Sequence, residues 1–141
     1  MGLVNCDRQL LHSAVTDLLA NAFDACLRKD YGDLEVPEVV LGADRSKKRE
    51  EHVIVEVRDN GEGMTEEVKK NIFTPFFSTK KKLGTGVGLT LTSRIIRQHG
   101  GEIEVESEPS EGTIFRFSLP VRGPQKQKEK LNAQKSSGHR R

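Results

Sequence analysis

Apolar residues recur at helical spacing from the start of the chain. Leu11, Val15, Leu18, Ala22 and Cys26 share one face, and Leu10, Ala14 and Leu19 widen it. Asp7 stands where an N-cap belongs. The spacing predicts a helix from there to about Lys29. Gly32 and Pro37 punctuate a polar connection, and the Val-rich stretch 36–41 reads as a strand. Residues 42–51 are polar and carry Arg45, Lys47, Lys48 and Arg49, the composition of an exposed hairpin loop. In 52–58, Val53, Val55 and Val57 alternate with Ile54 and Glu56. Apolar residues on both faces indicate an interior strand.

A glycine-containing turn follows at 59–64, then a short helix from Thr65 to about Asn71. Beyond a Phe- and Pro-containing stretch, three lysines and a Gly cluster, a second long helix is predicted from Gly86 or Val87. Its core positions are Leu89, Leu91, Ile95 and Ile96. His99-Gly100-Gly101 ends it, with Gly100 suited to a left-handed C′ position. His99 falls where the helix terminus mildly favours a cation. Residues 103–105 and 114–119 read as strands joined by a turn at 109–112, and Pro120 and Gly123 close the body. The strands arrive in hairpins, not in alternation with helices. The expected fold class is α+β: a two-layer sandwich with a mixed sheet covered on one face by helices.

A length of 141 residues fits one domain with a proper core. No apolar run approaches the ~18 residues of a membrane span. Any membrane anchor of a parent protein is expected outside this chain, and the domain itself is expected to be cytoplasmic. Cys6 and Cys26 form no CxxC pair, which argues for free thiols over a zinc site or a disulfide. Charge divides the chain. Residues 122–141 hold seven basic side chains and one acid, whereas 1–121 hold 16 basic and 20 acidic. The body is mildly acidic, so no nucleic-acid partner is expected. The division of the chain is therefore 1–121 as the folded domain and 122–141 as a basic, disordered tail.

Three clusters carry candidate chemistry. Asp17, Asn21 and Asp24, at i, i+4 and i+7, share a stripe beside the apolar helix face. Their hard oxygens suit Mg²⁺ that keeps its waters and shares phosphate oxygens, although a solvated polar stripe has the same spacing. Asp59-Asn60-Gly61-Glu62-Gly63-Met64 follows an interior strand. A carboxylate there can accept an exocyclic amine such as adenine's, and the glycines let backbone approach a planar ligand. Gly84-Thr85-Gly86-Val87-Gly88-Leu89 opens a helix and frees backbone N–H groups for an anion. It lacks the Lys-Ser/Thr of a Walker A loop and the third Gly of a dinucleotide fingerprint.

Taken in order, these clusters resemble the nucleotide-binding domain shared by sensor histidine kinases, DNA gyrase, heat-shock protein 90 and MutL. The stretch from Asp17 through Asn21 to Asp24-Ala25 resembles the N box. Asp59 to Met64 resembles the D-x-G-x-G box, and Gly84 to Leu89 the G-x-G-x-G-L box. The stretch Phe73-Thr74-Pro75-Phe76-Phe77-Ser78-Thr79-Lys80 resembles the F box of histidine kinases, and the ending from Gly112-Thr113 to Pro120 fits the same subgroup. The resemblance covers about residues 7–121 and implies a Bergerat-type ATP-binding fold.

It further implies Mg-ATP as ligand, with Asn21 as the metal-holding and catalytic residue and Asp17 assisting the metal or orienting the nucleophile. Asp59 would accept the adenine amine in a pocket shaped by Gly61, Gly63 and Met64, with Thr113 nearby. Gly84, Thr85, Gly86, Val87, Gly88 and Leu89 would meet the phosphates. Asp24, Ala25, Phe73, Thr79 and Lys80 complete the implied ATP site. Asp17 departs from the Asn or Glu of relatives, and Asp24 from a common Lys. No phosphoacceptor His motif is present, since His12 lies inside the first helix without the acidic and Pro neighbours of that motif. The implied function is the ATP-binding catalytic domain of a two-component protein-histidine kinase. It would present the γ-phosphate to a histidine on a separate phosphoacceptor domain, with a response regulator downstream. The alternatives are an ATPase conformational clamp and an ATP-responsive, serine-kinase-like regulatory module of the same superfamily.

Overall fold

The computed structural model describes residues 7–74 and 88–121. The elements run α1 (Arg8–Arg28), β1 (Val39–Arg45), β2 (His52–Asp59), α2 (Glu66–Asn71), α3 (Gly88–Gln98), β3 (Ile103–Glu108) and β4 (Gly112–Pro120). Four strands form one sheet in the order β1-β2-β4-β3. The α+β class holds, but among the described residues every pairing is antiparallel, so the expected mixed sheet is corrected. Each hairpin is antiparallel within itself, and β2 then meets β4 antiparallel.

Helix α1 starts as its sequence dictates. Asp7 Oδ1 accepts the Gln9 N–H at 3.0 Å, and the Asp7 carbonyl accepts the Leu11 N–H at 3.0 Å. Ala14, Leu18, Ala22 and Cys26 recur every fourth residue and are buried. They press on the inward side chains of the sheet. Register sets Val53 opposite Leu119, Val55 opposite Phe117 and Val57 opposite Phe115. With Leu18, Ala22 and Ile96, most of these residues form the core. The other sheet face mixes Val40, Ile54 and Ile114 with charged residues. Arg116 bridges Glu56 at 2.8 Å and Glu106 at 3.1 Å.

Strand β1 lies later than 36–41, at Val39–Arg45. Val39 pairs with Asp59 and Arg45 with Val53, so β2 extends the ladder into residues whose composition reads as loop. An exposed edge strand tolerates that polarity. Pro37 has no N–H to offer and stays outside it.

Thr65 caps α2, accepting the Val68 N–H at 3.3 Å. Helix α3 ends in a Schellman motif: Gly101 N–H reaches Ile96 O at 2.9 Å, Gly100 N–H reaches Arg97 O at 3.0 Å, and Gly100 has φ 80°. One expectation for α3 is corrected. Leu91 is 46% exposed, while Thr92 is fully buried. Helical period turns Leu91 away from the face shared by Leu89, Thr92 and Ile96, and Thr92 enters the core because its hydroxyl donates to Asp17 Oδ2 at 3.2 Å. His99 sits at the helix terminus with both ring nitrogens engaged: its Nδ1 lies 2.7 Å from Ile95 O and its Nε2 3.2 Å from the Asp7 N–H.

Cys26 is a free, buried thiol, and Cys6 lies outside the described residues, as do the tail 122–141 and Gly86 and Val87, the expected first positions of the second long helix. Among the described residues no helix is long and apolar enough to cross a membrane.

Leu18→Ala is expected to lower stability by about 2–5 kcal/mol, because Leu18 is fully buried in the core. Leu91→Ala should stay within about 0.5 kcal/mol. Denaturant midpoints of the two variants measure both. Equal losses would return Leu91 to the core.

Candidate functional site

Strand alternation places Asp59 on the same face as Val53, Val55 and Val57, toward the helices. Asp59 pairs with Thr113, and Thr113 pairs with Ser107. The three form a buried polar row where the apolar sheet face ends. Asp59 Oδ1 accepts the Gly61 N–H at 2.8 Å, and the Thr113 backbone N–H lies near enough to the carboxylate to favour its charged form. Burial raises the Asp59 pKa above the ordinary carboxylate value. The two N–H groups oppose that shift, and the Glu62 charge adds to it.

The turn after Asp59 is held on both sides. A side chain at Gly61 would strike the Ala25 backbone of α1, and the Glu62 N–H donates to Ala25 O at 3.0 Å. Gly63 has φ 68° and lies against the Glu108 carbonyl. The Met64 N–H donates to Ser107 Oγ at 2.9 Å, and Ser110 N–H to Glu62 O at 2.7 Å. Asn60 anchors the connection before β1. Its Oδ1 accepts from Glu38 N–H at 2.8 Å and its Nδ2 donates to Val36 O at 2.8 Å. The Tyr31 hydroxyl donates toward Asn60 O and Oδ1, at 3.0 and 3.1 Å. Burial, with Cys26 beside it, raises the Tyr31 pKa and keeps that hydroxyl protonated as a donor.

Helix α1 carries the rest. Asp17, Asn21, Asp24 and Ala25 are all half-buried. Asp17 is tied to Thr92 of α3. Asp7 meets His99 and Asp17 meets Thr92, so α3 runs antiparallel to α1. Four residues onward along α1 is Asn21, and four residues back along α3 is its first residue, Gly88. Each step is about 6 Å. The N-terminus of α3 therefore comes level with Asn21, and one turn beyond Asn21, Ala25 abuts the glycine turn.

Of the residues expected from sequence, the structure gathers Asn21, Ala25, Asp59, Gly61, Gly63, Met64, Gly88 and Thr113 around this junction. Phe73 and Leu89 are placed differently. The Phe73 ring packs edge-on against Phe115, with centroids 6.5 Å apart, and its carbonyl accepts the Thr90 hydroxyl at 3.0 Å. Leu89 packs against the core. Both brace the base of α3. Thr79, Lys80, Gly84, Thr85, Gly86 and Val87 lie outside the described residues. Sequence reading missed Ser107 and Thr92 and gave Asn60 no role of its own. Ser107 follows Ile103 and Val105 at period two, and a hydroxyl at an inward strand position was the available signal.

The sequence profile of the family described as "Histidine kinase-, DNA gyrase B-, and HSP90-like ATPase" matches residues 6–123. The sensor histidine kinase ZraS of Klebsiella oxytoca is 40% identical over 126 residues, covering 89% of this chain and 25% of that protein. Sporulation kinase E of Bacillus subtilis (strain 168) is 38% identical, covering 84% and 15%. The chain thus spans a quarter or less of the length of these two relatives. Among solved structures, the catalytic domain of histidine kinase ThkA superposes with a TM-score of 0.67 at 32% identity, covering 84% of this chain and 71% of that one. Full-length ShkA in complex with AMPPNP superposes with a TM-score of 0.66 at 26% identity, covering 82% and 22%. With its whole folded body matched, the chain belongs to the histidine kinase-, DNA gyrase B- and HSP90-like ATPase family, and within it to the histidine kinase catalytic domains.

Proposed function

We propose that this domain binds Mg-ATP and presents the γ-phosphate to a histidine on a separate phosphoacceptor domain, from which a response regulator is then served. The observation that carries the reading is the meeting of α1, α3 and the glycine turn. Ala25 touches the turn beside Asp59, and Asn21, one helical turn away, is level with the start of α3. An adenine held at Asp59 would send its triphosphate past Asn21 toward the positive end of an eleven-residue helix. Phosphoryl transfer rests mainly on positioning and charge neutralisation, which such a frame supplies.

Among the described residues no cluster of three acidic, His or Cys side chains could cage a metal. That fits Mg²⁺, which takes one or two protein oxygens and keeps its waters and phosphate oxygens. The Asn21 amide oxygen would hold it. When bound, the ion neutralises charge on the phosphate oxygens. Asp17 gives one oxygen to Thr92 and so holds α3 at its height on α1, and its second oxygen, one turn from Asn21, carries its assignment to the reaction. Asp24 and Ala25 line the same stripe, and Thr79, Lys80 and residues 84–87 would cover the phosphates. The mildly acidic body makes nucleic acid an unsuitable partner. The domain would work on the cytoplasmic side of its parent protein, with any membrane anchor supplied elsewhere.

Asn21→Ala should abolish the gain in ATP affinity that Mg²⁺ confers while leaving the melting temperature nearly unchanged. Calorimetric titration with and without Mg²⁺ reads the first quantity. A variant that binds Mg-ATP like the parent would remove the metal assignment.

ATP should be preferred over GTP by at least roughly tenfold, because the guanine carbonyl would face the ionised Asp59 with no proton between them. Asp59→Asn should weaken ATP and narrow that gap. Acidification should act in the same direction. The acceptor is present above the Asp59 pKa and is lost as pH falls through it, and burial places that midpoint above the ordinary carboxylate value. Titration of both nucleotides across pH tests this. Equal affinities in the parent, or an unchanged ratio in the variant, would show that Asp59 does not read the base.

A further inference from the structure

Ser107 lies at the inward end of β3, 7% exposed, and belongs to none of the sequence motifs. Its hydroxyl oxygen meets three groups: the Met64 N–H at 2.9 Å, the Gly112 carbonyl at 2.9 Å and the Thr113 hydroxyl at 2.8 Å. The first two fix where the protons go. An N–H can only donate, so Met64 occupies one Ser107 lone pair. A carbonyl can only accept, so Gly112 takes the single Ser107 proton. One lone pair of Ser107 then remains for Thr113, which must donate to it. The Thr113 proton is thereby committed inside the sheet, and only lone pairs of that oxygen remain for a ligand.

Thr113 stands directly beside Asp59 in the register. The Asp59 carboxylate is itself oriented by the Gly61 N–H. The row thus offers a ligand two acceptors and no side-chain donor. We propose that Ser107 is a specificity-determining positioning residue: by fixing the Thr113 hydroxyl as an acceptor, it makes this end of the site select a purine with an amine at C6 over one with a carbonyl. The inference rests on the placement of adenine at Asp59 and Thr113.

In Ser107→Ala the Thr113 hydroxyl is released and can turn its proton toward a C6 carbonyl. ATP and ITP differ at that edge and share their phosphates, so they are the probes. The parent should prefer ATP by about tenfold or more, and Ser107→Ala should narrow that ratio by at least about threefold. Thr113→Val provides the second arm and leaves the Met64 and Gly112 bonds of Ser107 in place. It should weaken ATP by at least about threefold and leave ITP unchanged, because an oxygen whose proton is committed elsewhere gives a carbonyl nothing to lose. Titration calorimetry of both nucleotides on the three proteins gives the ratios, and thermal melting confirms that each is folded. If Ser107→Ala does not fold, Thr113→Val decides alone. A discriminating parent whose ratio survives Ser107→Ala overturns the role of Ser107 only. Loss of ITP and ATP in equal measure on Thr113→Val overturns the fixed acceptor. A parent that binds both nucleotides equally removes the adenine placement beneath the inference.

Discussion

Gly61 lies against the Ala25 backbone with no space for a side chain, and the rest of the site is built around that close approach. It brings the end of the central strand to a fixed height on α1. From there the spacing of an α-helix does the measuring: Asn21 sits one turn away and Asp17 two. The Glu62 N–H bond to Ala25 O closes the same junction from the other side. A bulkier residue at position 61 would lift α1 from the sheet edge and separate the proposed adenine end from the proposed phosphate end.

Polar groups specify how α1 and α3 align. Apolar packing is non-directional, and Leu18 and Ile96 would tolerate a small slide of one helix along the other. Thr92 on Asp17 and His99 on the Asp7 N–H do not, because each would be left buried without its partner. The sequence places a threonine and a histidine where leucines would fill the volume, and the register they set brings the start of α3 to Asn21.

Much of this was legible from residues alone, and the exceptions share a cause. Helix α1, the capped α2, the interior β2 and the glycine end of α3 follow from spacing and from Asp7, Thr65 and Gly100, which act locally. The N-box, D-box and terminal Gly112-Thr113 residues resemble a known family closely enough to name the site. What failed was set by partners distant in sequence. β1 runs to Arg45 because β2 pairs with it there, and Leu91 is outside because Thr92 finds an acceptor seventy-five residues away. The ring of His99 is held by the start of α1 because it meets Asp7, ninety-two residues away. Ser107 escaped notice because its importance lies in which of its three neighbours can donate, a fact that no local pattern contains.

The sheet also divides the sequence into two regimes of tolerance. On its helix side every strand contributes to the core or to the Asp59 row. On the other side Glu56, Arg58, Arg116 and Glu106 pair among themselves and touch nothing in the site. These pairs range from half-buried to exposed, and surface ion pairs of this kind contribute little to stability. That surface is therefore free to drift, to change sign or to be recoloured without moving the frame around Asp59.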